Sequence, residues 1–346
     1  MYSLLTKLAL LGILFSRPTL SLPTQLNGQL IARDTSLPLT VNVIHQFPKP
    51  TWVENLAIRS DSSNDILCTL FTTPDLYLVD PSTGSATLLH SFPSVLGLTG
   101  IAQIGHDIFY VAGGNFSLTT LVNTPGSYAV WEVDIRGYDQ RGVAGVKVNK
   151  VVDLKEVTFV NGATRLDSAS KKLLLADSLL GGVWEVDVEK GTYELGIELP
   201  EMKPTSGPGF SIGVNGIKVK DGYLYFDNTS QETLSRIAID IVSGSVSGAV
   251  EVLATGIEPD DFVIGKGDLI WIAQDSLNTI SVLLKNGTVV NVAGSSNSLV
   301  VPGPSACEFG WEDKLYCTAT GGLISQVNGM FVGGEILEID TKGFNL

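Results

Sequence analysis

Short apolar segments separated by glycine-containing turns recur along the chain, roughly every 40 to 55 residues. Each copy opens with a short strand that starts at a polar residue. A strongly apolar strand, a strand of mixed pattern, a glycine turn and a last strand follow. The clearest copy comprises residues 161–164, 173–177, 182–187 and 190–191. Four short strands in a repeat of this length are typical of a propeller blade.

Six such copies fill most of the chain, and their first strands start near residues 54, 100, 161, 215, 261 and 305. The pattern predicts an all-β fold, a six-bladed β-propeller. The apolar segment 39–44 lies outside the copies, and we expect it to complete the last blade and close the ring. A β-sandwich is the alternative, but a near-constant period favours the propeller. Long connections at 114–127, 136–145 and 321–333 are expected to cover or shape a site.

The N-terminal residues differ from the repeats. Lys7 precedes an apolar run at 8–15, and small and polar residues continue to Ser21. This order is typical of a signal peptide, here residues 1–21, and the run is too short to cross a bilayer. A membrane anchor or a buried strand remains the alternative. We expect a protein that is secreted or enters the secretory lumen, with one domain at 22–346 and no membrane span.

The charge balance limits the partners. The chain has 22 basic and 36 acidic residues, a formal charge of −14, and no basic cluster. Binding to nucleic acid or to anionic lipid needs clustered Lys and Arg. We therefore expect no nucleic-acid partner. We also expect a monomer that binds hydrophobic small molecules, for which the apolar residues described below are the reason.

The cysteines and sequons agree with the secretory pathway. Cys307 and Cys317 flank a segment that reads as strand, turn and strand, so they can face each other and form a disulfide. Cys68 lies in an apolar run and is expected to be a buried thiol. The glycosylation triplets begin at three asparagines, Asn115, Asn228 and Asn286.

Polar residues stand at the start of four inner strands, which line the channel of a propeller. They are Glu54, Asn161, Asn215 and Asp261. Because the inner strands converge on the axis, two carboxylates and two amides are expected to meet at one mouth. Oxygen ligands of this kind suit Ca²⁺ or another hard divalent cation. Alternatively, each residue caps its strand or binds channel water.

Several short motifs resemble the senescence-marker-protein and gluconolactonase family. They are Glu-Asn-Leu-Ala at 54–57, Asn-Gly at 161–162, Asn-Gly-Ile at 215–217 and Pro-Asp-Asp-Phe at 259–262, with the apolar strands 224–227 and 269–273. The resemblance covers nearly the whole repeat region. It implies a cation held by Glu54, Asn215 and Asp261 with Asn161 beside them, and Asp261 as the base in lactone hydrolysis.

One position departs from the sugar-lactone hydrolases of that family. They carry an Arg two residues before the first Asn, where this chain has Phe159. Further apolar residues are expected near the same face, namely Trp52, Val214, Phe262, Phe309 and Trp311. An apolar rim leaves the hydroxyls of a sugar without partners, so it disfavours a polyhydroxylated substrate. Packing between blades is the alternative role for each aromatic.

Histidine chemistry has no support in the sequence. The three histidines, His45, His90 and His106, do not fall at strand starts. A histidine dyad or a Ser-His-Asp triad therefore lacks an evident base.

Among propellers of this kind, the chain resembles secreted fungal hetero-Diels–Alderases of tropolonic sesquiterpene biosynthesis in length, leader, sequons and apolar mouth. That resemblance implies cycloaddition of a tropolone quinone methide to a humulene-type alkene, without a required cofactor. Glu54, Asp261, Phe159 and Trp52 are then the candidate catalytic residues, and Val214, Phe262, Phe309 and Trp311 the candidate substrate contacts. A cation-dependent lactonase or esterase and a non-catalytic ligand-binding propeller are the other two hypotheses.

Overall fold

Six four-stranded antiparallel sheets form the protein in a computed structural model, which describes residues 36–60, 63–207, 211–342 and 344. Their order along the chain is that of a six-bladed β-propeller. The prediction of an all-β propeller is confirmed. The predicted signal peptide, residues 1–21, lies outside the described residues.

The strands alternate in direction through each blade. The first strand of the chain is β1 (Val41–Gln46). Blade one contains β2 (Val53–Ile58), β3 (Ile66–Leu70), β4 (Asp75–Asp80) and β5 (Ser85–Ser91). Blade two contains β6 (Gly97–Gln103), β7 (Ile108–Gly114), β10 (Tyr128–Asp134) and β11 (Lys147–Leu154), and the short strands β8 (Phe116–Ser117) and β9 (Val122–Asn123) form a separate hairpin.

The remaining blades follow the same order. Blade three contains β12 (Val160–Arg165), β13 (Lys172–Asp177), β14 (Gly182–Asp187) and β15 (Thr192–Glu198). Blade four contains β16 (Val214–Lys220), β17 (Tyr223–Asn228), β18 (Thr233–Ala238) and β19 (Glu251–Thr255). Blade five contains β20 (Asp261–Ile264), β21 (Ile270–Gln274), β22 (Thr279–Leu283) and β23 (Val289–Gly294). Blade six contains β24 (Pro304–Phe309), β25 (Lys314–Ala319) and β26 (Glu335–Asp340).

Among the residues that the structure describes, helices occur only in the connections between strands. A single turn of α-helix, α1 (Tyr138–Arg141), lies in the connection between β10 and β11. Short 3₁₀ helices cover Gly142–Gly145, Pro200–Met202, Lys266–Asp268, Asp275–Leu277 and Trp311–Asp313. Within the described residues, no helix is long and apolar enough to cross a membrane.

The ring closes through the two ends of the described chain. Strand β1 pairs antiparallel with β26, with Val41 opposite Ile339 and Gln46 opposite Glu335, and becomes the outermost strand of blade six. This pairing confirms the prediction for the segment 39–44. It also leaves no blade short of a strand.

Six inner strands, β2, β6, β12, β16, β20 and β24, contact one another around the channel axis. They approach closely. A Cβ atom on Gly162 would lie 2.4 Å from the carbonyl oxygen of Asn215, and one on Gly100 would lie 2.6 Å from that of Asn161. Larger residues at Gly162 and Gly100 would therefore push blades two, three and four apart.

The channel has two different ends. We call the end where the inner strands begin the upper mouth, and the end where they finish the lower mouth. Since the second strand of each blade runs back upward, the connections 114–127 and 321–333 lie at the upper mouth. The third strand runs downward again, so the connection 136–145 lies at the lower mouth.

A buried arginine fastens that lower connection. The Arg59 guanidinium donates hydrogen bonds from Nε and Nη2 to the Asp107 carboxylate, at 2.9 and 2.7 Å. Its Nη1 and Nη2 atoms also donate to both oxygens of Asp139 in α1, at 2.8 and 2.9 Å. Asp65 lies within ion-pair distance of the same guanidinium. Arg59 thus joins blade one to blade two and to α1.

The cysteines behave as the sequence indicates. Cys307 in β24 lies directly opposite Cys317 in β25, and the two form a disulfide. Cys68 is a buried free thiol whose pKa is raised by burial. A buried thiol of this kind is a poor nucleophile.

Candidate functional site

Three polar side chains occupy equivalent places at the upper mouth. Glu54, Asn161 and Asn215 are each the second residue of an inner strand, and each follows a fully buried valine. A register irregularity that begins after each valine includes the polar residue and interrupts its pairing with the second strand. All three side chains are buried. The structure therefore brings these predicted residues to corresponding positions in their blades.

The fourth member of this polar ring is Asp260, the residue before β20. Asn215 donates a hydrogen bond from Nδ2 to Asp260 Oδ1 at 2.7 Å. The other oxygen, Oδ2, is shielded from solvent and accepts no hydrogen bond from the described residues. Asp260 also interacts electrostatically with Glu54. We define the polar ring as Glu54, Asn161, Asn215 and Asp260.

Asp261 is the next residue and the first of β20. Its carboxylate accepts hydrogen bonds from Lys218 Nζ at 2.8 and 3.0 Å and from Asn55 Nδ2 at 3.3 Å. These contacts form a mid-channel ion pair that connects blades one, four and five. The structure therefore replaces Asp261 by Asp260 in the polar ring, because the lysine and the amide already occupy both oxygens of Asp261.

Buried carboxyl groups are concentrated around the polar ring. Burial raises the pKa of Glu54 to about 8, although a hydrogen bond from Trp52 opposes the shift. Burial also raises the pKa of Asp275 to about 7 and holds that of Asp260 well above its ordinary value, which nearby Glu54 and Asp275 raise further. Burial likewise holds the pKa of Asp227 well above its ordinary value. These groups favour the protonated form or a compensating cation.

The polar ring fits a divalent cation. Two carboxylates and two amide oxygens are hard ligands, and the unpartnered Oδ2 of Asp260 is a buried acceptor without a donor. The described residues contain no group of three His, Cys, Asp or Glu side chains placed to hold a metal. A cation here would therefore depend on the amide oxygens of Asn161 and Asn215 as well as on Glu54 and Asp260.

An aromatic wall stands beside the ring, formed by Trp52, Phe71, Phe116 and Phe159. Phe71 contacts Trp52 edge-on at 5.5 Å between ring centroids and stacks on Phe116 at 5.4 Å. Phe159 packs on Phe116 at 5.3 Å. Phe116 comes from the β8–β9 hairpin, so the connection 114–127 shapes this mouth as expected. Trp52, the half-buried member, donates its indole N–H to Glu54 Oε2.

Four residues predicted to contact substrate do not reach the upper mouth. Val214 and Phe262 are fully buried in the packing of blades four and five. Each adjoins a polar channel residue, so the alternation of a strand directs its side chain sideways into the neighbouring blade. Phe309 and Trp311 lie at the opposite end, because they follow the end of an inner strand. There they line a cavity of about 490 Å³ at the lower mouth.

Some residues of the upper mouth were missed by the sequence reasoning. An aspartate lies at the end of the second strand of three successive blades. Asp177 is the last residue of β13, Asp227 is the next-to-last residue of β17, and Asp275 follows β21 directly. Asp177 accepts hydrogen bonds from the backbone N–H of Phe159 and from Trp184 Nε1, and Asp227 accepts one from the N–H of Gly216. The recurrence of this acidic residue after apolar strands was a visible signal for these supporting positions.

The three sequons differ in accessibility. Asn228 is fully buried, and its Nδ2 donates to the carbonyls of Glu201 and Lys203, both at 2.9 Å. A glycan on that nitrogen would break both bonds and could not reach solvent, so the structure contradicts glycosylation at Asn228. Asn286 lies exposed in the turn after β22, and Asn115 is half-buried beside the β8–β9 hairpin.

Comparison with known proteins agrees with this architecture. A Phoma protein named as a hetero-Diels-Alderase is 26% identical over 340 residues, covering 89% of this chain and 92% of the relative. Another protein so named, asR5 of Sarocladium schorii, is 25% identical over 354 residues, covering 89% and 85%. The chain is similar to the hetero-Diels-Alderases. No family model matches it.

Solved structures similar to this chain have the same fold. The calcium-binding protein regucalcin from Agrobacterium tumefaciens aligns with a TM-score of 0.60 at 16% identity, covering 88% of this chain and 94% of its own. A gluconolactonase from Xanthomonas campestris aligns with a TM-score of 0.60 at 13% identity, covering 87% and 89%. At these identities the structures support the propeller fold and leave the chemistry open.

Proposed function

We propose that this chain catalyses a hetero-Diels–Alder cycloaddition at its upper mouth, joining a tropolone quinone methide to a humulene-type sesquiterpene. The two relatives named as hetero-Diels-Alderases support an enzyme of this class. The observation that carries the proposal is the position of the aromatic wall beside the buried carboxyl of Glu54. The secretion predicted from residues 1–21 is part of the same proposal.

The cycloaddition makes modest chemical demands on the protein. Two new σ bonds form as three π bonds become one, and no proton or electron is gained or lost, so no cofactor is required. The protein must hold both reactants in a reactive approach, which can lower the barrier by several kcal/mol. Trp52 is the partly exposed member of the aromatic wall and would contact hydrocarbon reactants, and it packs on the buried cluster that contains Phe159.

Glu54 supplies the polar contribution in this proposal. Since burial raises its pKa to about 8, the carboxyl is mostly protonated at neutral pH. Trp52 donates its indole N–H to one oxygen, which leaves the acid hydroxyl able to donate to the oxygen of the heterodiene. Negative charge grows on that oxygen as the reaction proceeds, so the hydrogen bond strengthens in the transition state.

Substitution at Glu54 tests this role. Glu54→Ala is expected to lower kcat by about 100-fold, the usual effect of removing one donor to a developing oxyanion. Glu54→Gln keeps a donor, so it should retain most activity. The wild-type rate should fall as the pH rises through about 8, because the acid loses its proton, and the Gln variant should lack that fall. Product formation is followed by chromatography with the uncatalysed rate subtracted.

The exposed Glu194 provides a control. Glu194→Ala should leave the rate and its pH profile unchanged. Wild-type activity in Glu54→Ala, or a rate that increases through pH 8, would contradict the role of Glu54 while leaving the propeller fold unaffected.

The second candidate is a cation-dependent lactonase, which the oxygen ligands of the polar ring favour. A divalent cation held by Glu54, Asn161, Asn215 and Asp260 would supply Lewis-acid polarisation of an ester carbonyl. Asp260, with its unpartnered Oδ2, replaces Asp261 as the candidate base. If this function is correct, the purified protein hydrolyses simple γ-lactones with Ca²⁺, and EDTA abolishes the reaction. Cycloaddition that is insensitive to EDTA, with no lactone hydrolysis, argues against it.

A further inference from the structure

A separate cavity opens at the lower mouth, beyond the mid-channel ion pair. Its volume is about 490 Å³, within the range of small-molecule sites. The walls come from the lower parts of β2 and β6, the end of β12, and the end of β24 with the turn that follows. This cavity is not part of the proposed cycloaddition site, because the polar ring and the aromatic wall lie at the upper mouth.

One cationic side chain at this cavity, Arg165, has no ion-pair partner among the described residues. Arg165 ends β12, is exposed, and makes no ion pair within the described part of the chain. The other guanidinium, that of Arg59, already binds Asp107 and Asp139 in bidentate fashion. Lys218, deeper in the channel, is neutralised by Asp261. Arg165 is therefore an exposed guanidinium with no carboxylate at ion-pair distance among the described residues, although Glu308 lies near enough to interact with its charge.

A buried carboxyl lies close to that charge. Glu308 is near enough to Arg165 and Lys218 for both cations to lower its pKa, although burial raises it on balance. The backbone N–H of Phe309 donates to Glu308 Oε1 at 3.2 Å. Glu308 lines the same cavity, and in its protonated form its carboxyl could donate a hydrogen bond to a ligand oxygen.

The same cavity has an aromatic side. Phe309 is held edge-on against Trp271 at 5.8 Å between ring centroids. Trp311, two residues later, is 55% exposed. Exposure of a large aromatic at the rim of a cavity is typical of a surface that stacks on a flat ligand.

From this combination we propose that the lower mouth is a second ligand site, which binds a flat, singly charged aromatic carboxylate. The guanidinium of Arg165 would pair with the carboxylate, and Trp311 and Phe309 would cover the ring. A single fork-shaped guanidinium matches one carboxylate, which is why a monoanion is favoured over a polyanion. The net charge of −14 repels anions from most of the surface, so local binding here depends on Arg165.

The experiment uses 2-naphthoate as the probe and uncharged 2-naphthamide as its matched analogue, with binding to the full protein measured by titration calorimetry. Saturable one-to-one binding of 2-naphthoate is expected with a submillimolar Kd, and weaker binding of the amide. Arg165→Gln should weaken naphthoate binding about tenfold and leave amide binding unchanged. Trp311→Ala should weaken both ligands.

Two controls make the result decisive. Arg141→Gln removes another exposed guanidinium of the lower face and should leave naphthoate binding unchanged. Arg165→Gln should also leave cycloaddition at the upper mouth unchanged when naphthoate is absent, which separates this site from the proposed function. Equal naphthoate binding by wild type and Arg165→Gln, or no saturable binding at millimolar concentration, would overturn the proposal.

Discussion

Lowering the pH from 8 to 5 is expected to raise the thermal unfolding midpoint of the metal-free protein by roughly 5 °C or more. The reason is the cluster of buried carboxyls at the upper mouth. Glu54 has a pKa raised from 4.5 to about 8, and Asp275 one raised from 3.8 to about 7. Between these limits the folded protein binds more protons than the unfolded chain, so stability is lost as the pH rises.

The size of the effect follows from the shifts. One pKa unit corresponds to about 1.4 kcal/mol, so Glu54 alone could account for about 5 kcal/mol as an upper bound. Neighbouring carboxyls titrate together, and their contributions are therefore not additive. Carboxyls with lowered pKa values, such as Asp134 at about 2, titrate below this range and do not oppose the trend.

Differential scanning fluorimetry across this pH range measures the effect. The double variant Glu54→Gln with Asp275→Asn should show a smaller dependence on pH, and Asp260, Asp227 and Glu335, whose pKa values are also raised, should retain part of it. Adding Ca²⁺ at pH 8 should restore much of the lost stability in the wild type if the polar ring binds the cation, and less at pH 5, where protons compete for the ligands. A midpoint that increases from pH 5 to pH 8 without metal would contradict this account of the carboxyls.

Replacing Arg59 with Met is expected to destabilise the protein by about 3 to 5 kcal/mol. Arg59 and its partner Asp107 are both buried, with side chains only 4% and 3% exposed. Methionine fills a similar volume but leaves the Asp107 carboxylate in a poorly solvated place without its cation. Asp139 would also lose its contact with blade one, so α1 should become more accessible to protease.

Arg136 serves as the matched control, because its guanidinium also binds an aspartate, Asp134, but is 59% exposed. Arg136→Met should cost less than about 1 kcal/mol, as for exposed ion pairs in general. Urea unfolding of both variants gives the comparison. If the two substitutions lower the free energy of unfolding by similar amounts, burial does not determine how much the Arg59 contacts stabilise the protein.

The fold could be predicted from sequence because each blade repeats the same local signals. Apolar strands such as 173–177 are too short for helices, and glycine turns such as Lys190-Gly191 recur at fixed places. Even the closing strand β1 was identifiable, since an apolar segment outside the six copies needs a partner. Local pattern and global closure therefore agree throughout this chain.

The member of the polar ring from blade five was harder to predict, because two aspartates, Asp260 and Asp261, are adjacent in the sequence. Asp260 and Asp261 differ only in their offset from the start of β20, and a shift of one residue decides which carboxylate meets Asn215. No register irregularity occurs in the pairing of β20 with β21, unlike the three strands that carry Glu54, Asn161 and Asn215. Sequence alone does not reveal that difference.

The apolar residues assigned to the rim could have been placed better. Phe309 follows Ser305 by four residues along a single inner strand, which spans the channel from one mouth to the other. Strand geometry of about 3.3 Å per residue puts them more than 10 Å apart. The alternation of strand faces likewise directs Phe262 away from the side occupied by Asp261. Both signals were present in the residue spacing.

The pairing of β1 with β26 also has a consequence for biosynthesis. Residues 41–46 leave the ribosome long before residues 335–340, so the outer strand of blade six must wait for its partner while blades one to five are synthesised. Blades one to five have all their strands from contiguous chain and can form in sequence. The final blade, and with it the circular enclosure around the upper mouth, can be completed only after residues 335–340 have been synthesised.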